Sequence, residues 1–282
     1  MSYGTPGQGG QGKKKRKLMP EIGELRSVCQ QAASAGAREL LAWNGRFSCK
    51  EKNPRDLVTD ADLASQKAIY RVIREKYPDH GFLGEEDPDP SQLQKQYCWI
   101  VDPLDGTTNY VHGYPFYAVS VAVAREGVLT AGAVFDPLRK ECFLAAAGCG
   151  SQLNGEPISV SSTITLEEAL VAVSLPPDLQ IDSPDLQAFL QVAPRCRAVR
   201  RTGSAALNLA YVASGRLDAH WAHFIYSWDS AAGVLLVLEA GGVATACRGG
   251  NYQVEQGDYF VSGTRQLHRT LLPMISGVSH SV

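Results

Sequence analysis

Residues 99–113, WIVDPLDGTTNYVHG, place two carboxylates three positions apart, with a proline between them, directly after an apolar run. Like charges brought together repel, so such a pair needs a shared proton or a cation. Pro103, whose φ is fixed, stiffens a turn able to aim the Asp102 and Asp105 side chains and the Leu104 carbonyl at one small volume. Gly106, Thr107 and Thr108 follow at once. If a helix starts there, its first N–H groups lack intrahelical partners. Together with the helix dipole they make an anion site, and Gly106 lets a phosphate come close to the backbone. The chemistry suggested is a phosphate held by cations and backbone, with the cations held by carboxylates.

Three further acidic places follow apolar runs or open helices: Asp60 and Asp62 in LVTDAD, Glu85 and Glu86 in FLGEED, and Asp229 in YSWDSAAG. Hard oxygen donors suit Mg²⁺ or Mn²⁺, whereas zinc or copper would want His or Cys. Taken singly, each stretch reads as a helix cap, a turn or a solvated loop. Their conjunction in one chain is what points to a site.

The elements that must position these groups are of mixed type. Helical periodicity runs over 21–43, with Ile22, Leu25, Val28 and Ala32 on one face. Thr59 precedes a helix over 60–76 that Pro78 closes. Runs at 117–124, 128–135 and 141–147, separated by Gly or Pro signals, read as an antiparallel meander. A strand is expected at 166–173, a helix at 184–193, and buried helices at 204–214 and 229–240. Hairpins early and strand–helix alternation later imply mixed α+β and α/β layers instead of one wound sheet.

Composition sets the outer limits. The chain has 282 residues, 44% hydrophobic and 20% charged, with a net charge of −2, so no global field points to nucleic acid or membrane. No apolar run approaches the ~20 residues of a membrane helix, and no signal-peptide core is evident near the start. The seven cysteines are scattered, never spaced CxxC, and read as reduced thiols of a cytoplasmic protein. Residues 1–19 are Gly- and Gln-rich and end in a basic run at 13–17. They are expected to stay disordered for want of apolar surface. Gly7 to Lys13 fits GxxxxGK, but Lys14 stands where Ser or Thr should be and no strand precedes it, so the P-loop reading fails. The remainder, 20–282, is expected to be one catalytic domain of two packed halves, roughly 20–175 and 176–282.

The set DLVTDAD, GEED, WIVDPLDGTTNYVHGYPF, GSAALN and WDSAAG resembles the inositol monophosphatase family of magnesium-dependent, lithium-sensitive phosphatases. The resemblance implies a layered αβαβα sandwich, usually a homodimer, and a small phosphorylated metabolite as substrate. It implies that Glu85, Asp102, the Leu104 carbonyl, Asp105 and Asp229 ligate two or three Mg²⁺ ions, with Mn²⁺ as a substitute. Gly106 and Thr107 would present N–H groups to the phosphate. Asp62 and the Thr107 hydroxyl would orient and deprotonate the attacking water. Gly203, Ser204, Ala205, Ala222, Asp105 and Asp229 would lie on the substrate side.

Two departures stand out. The family commonly has a glutamate seven residues before the WD aspartate, where it binds inositol hydroxyls; Ala222 stands there. His223 beside it is a candidate for facing the pocket. A lysine typically precedes DLVT, but an ungapped count puts Glu51 in its place, between Lys50 and Lys52. His220 and His223 have HxxH spacing in a strand-like stretch, where positions three apart face opposite sides, which argues against zinc. The leading reading is an Mg²⁺-dependent phosphomonoesterase acting on an inositol 1-phosphate-like ester. Alternatives are the same chemistry on histidinol phosphate, fructose 1,6-bisphosphate or a nucleotide such as 3′-phosphoadenosine 5′-phosphate, or a catalytically silent protein binding a polyanion through its basic tail.

Overall fold

The computed structural model describes residues 10–53 and 56–277. Helix α1 (Gly10–Trp43) leads to a hairpin of β1 (Cys49–Asn53) and β2 (Asp56–Thr59), then α2 (Asp60–Lys76). Strands β3 (Gly81–Gly84) and β4 (Tyr97–Asp105) follow, then the short α3 (Thr107–Val111). A meander comes next: β5 (Ala118–Arg125), β6 (Val128–Asp136), β7 (Glu141–Ala146), β8 (Ser151–Leu153) and β9 (Glu156–Ile158). The chain continues as β10 (Leu170–Val173), α4 (Pro184–Val192), β11 (Ala198–Arg200), α5 (Ala205–Ala213), β12 (Ala219–Ala222) and α6 (Ser227–Glu239). It closes with β13 (Val243–Thr245), β14 (Tyr259–Ser262) and α7 (Arg265–Ile275).

Strands β3 to β9 form a seven-stranded sheet in sequential order, and β11-β10-β12-β14-β13 form a five-stranded one. Side chains alternate across a strand, and the cores follow. Trp99 and Val101 of β4 pack with α1 and α2, whereas Cys98 and Ile100 pack with α5 and α6. On the second sheet, Trp221 packs toward α4 and α7, and Ala222 toward α5 and α6. The layers are therefore α1/α2, the large sheet, α5/α6, the small sheet, and α4/α7: an αβαβα sandwich.

The meander and the helix at 60–76 form as the sequence pattern predicts. Some element bounds differ from the expected ones. Helix α1 starts at Gly10, within the segment 1–19. Residues 1–9 lie outside the described residues. The strand expected at 166–173 begins only at Leu170, because Leu166 and Ala169 close a turn through a 3.0 Å hydrogen bond. A division at 175 would also separate β10 from the sheet it pairs in; the sheets divide between β9 and β10.

The central layer is packed through small residues. A Cβ on Gly132 would come 3.0 Å from the Ala232 Cα, and one on Gly233 only 2.4 Å from Leu209 Cβ. Helix α6, which carries Asp229 in its first turn, is thus pressed against both β6 and α5. Gly233→Ala should lower stability by about 1–3 kcal/mol through overpacking, read by urea denaturation; an unchanged midpoint would mean the helices part freely.

Candidate active site

Asp102 and Asp105 lie in the last turn of the sheet path of β4, where the pairing with β5 shifts register between them. That irregularity lets two nearby carboxylates turn to the same side. Asp102 accepts a hydrogen bond from the Leu104 N–H at 2.9 Å. Asp105 accepts from Ser204 Oγ at 2.5 Å, from Ala206 N at 2.6 Å and from Ala205 N at 3.3 Å, which makes it the acid at the start of α5. Asp229 accepts from Tyr226 N at 3.0 Å at the start of α6. One oxygen from each of these three carboxylates lies within 4.8 Å of the others.

Burial and mutual repulsion disfavour their charge. Asp102 is raised well above the usual carboxylate range by burial and then by Glu85, Asp105 and Asp229. Asp229 is raised likewise, by burial and then by Asp105 and Glu85. Asp105 is pushed up to about 6 by burial, against the restraint of its Ser204, Ala206 and Ala205 hydrogen bonds. A set of hard oxygen donors that are costly to ionise together fits a divalent cation such as Mg²⁺. Glu85 stands at the edge of this trio and is pushed up to about 7 chiefly by burial.

Lys52 Nζ lies 3.2 Å from Glu85 and 2.8 Å from Glu86. Burial works against its charge, but the two glutamates hold it above the usual lysine range. The β1–β2 pairing shifts register between Glu51 and Asn53. This one-residue bulge explains why counting without a gap arrives at Glu51: the lysine that reaches the acids is Lys52.

Asp62 is fully buried in the first turn of α2 and closes a capping box with Thr59, accepting from its N–H at 2.8 Å and its hydroxyl at 2.5 Å. Burial pushes it up to about 6. Thr107 Oγ1 lies 3.2 Å from Asp62 Oδ1 and 3.1 Å from the Leu104 carbonyl, so the hydroxyl joins the acid to the DPLD turn. Gly106 has φ +99°, and a Cβ there would meet the Phe116 and Gly203 carbonyls at 3.1 and 3.2 Å; this turn needs glycine.

A cleft of about 530 Å³ opens over this centre, within the range of small-molecule sites. Glu85, Asp105, Gly106, Thr107 and Asp229 form one end, and Ser174, Arg201, Phe224 and Tyr226 lie among the other walls. The sequence reading missed these last four: Ser174 and Arg201 are remote in sequence from the acidic stretches, and Phe224 and Tyr226, just ahead of Asp229, carry no signature that aims them at the cleft. Other expected residues go elsewhere. Ser204 is fully buried and serves Asp105. Ala222 is fully buried in the core between the sheets and is not among the cleft's lining residues. His223 turns away, with Nδ1 2.7 Å from Asp185 and Nε2 3.0 Å from the Ile275 carbonyl. His220 points inward to Ser174 and Tyr259, so the two histidines share no metal.

The layered sheets thus set an acidic cleft beside the Gly106–Thr107 turn at the end of β4. The model of the inositol monophosphatase family matches residues 23–280. The Nus factor SuhB of Pseudomonas aeruginosa is 42% identical over 234 residues, 81% of this chain and 86% of that protein. The inositol-1-monophosphatase of a Synechocystis species is 38% identical, covering 79% of this chain and 78% of that one. Among solved structures, the extragenic suppressor protein suhB from Bartonella henselae superposes with a TM-score of 0.84 at 35% identity, over 91% of this chain and 98% of that one. The chain belongs to the inositol monophosphatase family and is a phosphatase.

Raised carboxylate pKa values have a defined consequence for the metal-free protein. Between the unfolded value near 4 and the folded values of about 6 for Asp62 and Asp105 and about 7 for Glu85, the folded state binds more protons. These groups therefore cost stability as pH rises through that window. Metal-free protein should lose melting temperature through this window, and added Mg²⁺ should raise it more at pH 8 than at pH 6. An Mg²⁺ effect independent of pH would count against the acidic centre as the binding site.

Proposed function

We propose that the protein is an Mg²⁺-dependent phosphomonoesterase that hydrolyses a small polyol phosphate of the inositol 1-phosphate kind. The observation that carries this reading is the convergence of Asp102, Asp105 and Asp229 beside the Gly106–Thr107 turn, in a cleft of small-molecule size. Asp102, Asp105 and Asp229, with Glu85 and the Leu104 carbonyl beside them, would hold Mg²⁺. Bound there, the metal supplies positive charge to the phosphate and to the oxygen that leaves.

The chain's own residues do the rest. Backbone N–H groups of Gly106 and Thr107 hold phosphate oxygens at the start of α3. Asp62, with a pKa raised to about 6, is ionised at neutral pH yet basic enough to take a proton, the balance wanted of a general base. The Thr107 hydroxyl, in reach of both Asp62 and Leu104, orients the attacking water and passes its proton to Asp62. Lys52 neutralises Glu85 and Glu86, which limits the negative charge an incoming phosphate meets. Hydrolysis then proceeds in line, without a covalent enzyme intermediate.

The reading extends to lithium sensitivity, a homodimer and a cytoplasmic setting. The five carboxylates this reading needs, Asp62, Glu85, Asp102, Asp105 and Asp229, are all present in the sequence, and this supports an enzyme over a silent binding role for the basic run at 13–17. Phosphate release from a panel of esters, run with Mg²⁺, with EDTA and with Li⁺, tests it. Turnover should require Mg²⁺ and fall with Li⁺. Asp62→Asn and Thr107→Ala should each reduce kcat by about 10²–10⁴; full activity in both would remove them from the mechanism.

A further inference from the structure

Ser174 occupies a position in the cleft that its strand neighbours define closely. β10 runs parallel to β12 with Val173 paired to Trp221, and the Ser174 N–H donates to the Trp221 carbonyl at 3.1 Å. Ser174 thus stands level with Ala222, the place where the family resemblance leads one to look for a group that binds substrate hydroxyls. Ala222 offers only a buried methyl, whereas Ser174 lines the cleft together with Asp105, Gly106, Thr107 and Asp229.

The surrounding hydrogen bonds bear on which way the Ser174 hydrogen points. Asn208 Oδ1 accepts from Thr202 Oγ1 at 2.7 Å, and its amide nitrogen faces His220 Nε2 at 3.5 Å. An amide nitrogen donates and cannot accept. Nε2 is therefore the bare nitrogen of the imidazole, and Nδ1 carries the hydrogen, directed at Tyr259 Oη 3.1 Å away. Ser174 Oγ lies 3.1 Å from the same bare Nε2 and so donates to it. His220 is fully buried, and burial pushes its pKa down to about 3, which keeps the ring neutral and this arrangement intact. With its one hydrogen committed to His220, the Ser174 oxygen presents only a lone pair to the cleft.

We propose that Ser174 is a specificity-determining residue, held by His220 as a pure hydrogen-bond acceptor, and that it reads a hydroxyl donor on the alcohol part of the substrate. The inference rests on the phosphomonoesterase reading and narrows it. A polyol with a free hydroxyl at that point finds its acceptor, while a substrate placing an anionic or carbonyl oxygen there meets lone pair against lone pair. Thr202 ties the network to the phosphate end, since its carbonyl accepts from Asn109 Nδ2 at 2.8 Å.

The test compares kcat/KM for inositol 1-phosphate and for cyclohexyl phosphate, which has a six-membered ring and no hydroxyls, using the Mg²⁺-loaded enzyme. The ratio of the two should fall about tenfold to a hundredfold in Ser174→Ala, the effect of leaving one hydroxyl unpaired, and be largely kept in Ser174→Thr. An unchanged ratio in Ser174→Ala, with both esters still turned over, overturns the assignment. Turnover of neither ester by the wild type strikes the phosphomonoesterase reading instead. Independently of activity, ¹⁵N NMR of the His220 ring should show Nδ1 protonated and Nε2 bare; a protonated Nε2 would overturn the proposal.

Discussion

Three carboxylates held closer together than their charges favour are the constraint around which this molecule is arranged. Asp102, Asp105 and Asp229 come from a strand end, a turn and a helix start, and each is braced by main-chain N–H groups: Leu104 for the first, Ala205 and Ala206 for the second, Tyr226 for the third. Two of these braces are N–H donors at the starts of α5 and α6 that have no partner within the helix, where the helix dipole favours negative charge. The acids are thus restrained by the backbone before any cation arrives.

The layers exist to deliver those donors. The large sheet supplies the DPLD turn, the two central helices supply their positive ends, and the small sheet supplies the opposite wall through Ser174. Asp105 shows how closely folding and chemistry are joined, because the same carboxylate that faces the cleft also completes the start of α5 through Ser204. The β1–β2 hairpin contributes from outside the sandwich, reaching over with Lys52 to neutralise the glutamates beside the centre.

Much of this was legible in the sequence, and the boundary of legibility has a physical basis. The DPLDGTT stretch could be read because its acids, its proline and its glycine act within one turn, and the helix opening at Asp60 because Thr59 and Asp62 close a local capping box. Long-range choices were not legible. Nothing local says that Ser204 would serve Asp105 across 99 residues of chain, or that His223 would turn to Asp185. Lys52 was hidden by a bulge, which changes register without leaving a mark in composition. Ala222 was expected on the substrate side, but it lies buried in the core between the two sheets, a placement that depends on how the sheets pack over it.

The glycine contacts of the central layer bear on how such a protein can change over evolutionary time. Helix α6 is seated against Leu209 and the backbone of β6 by contacts with no side-chain rotamers to spare, so the position of Asp229 is set by hard contact and not by adjustable packing. The cleft's outer walls, in contrast, include exposed side chains such as Phe224. A replacement there touches none of the groups that brace the acids. A scaffold divided in this way can exchange one alcohol for another by drift at its rim, while the geometry that breaks the phosphate ester is inherited unchanged.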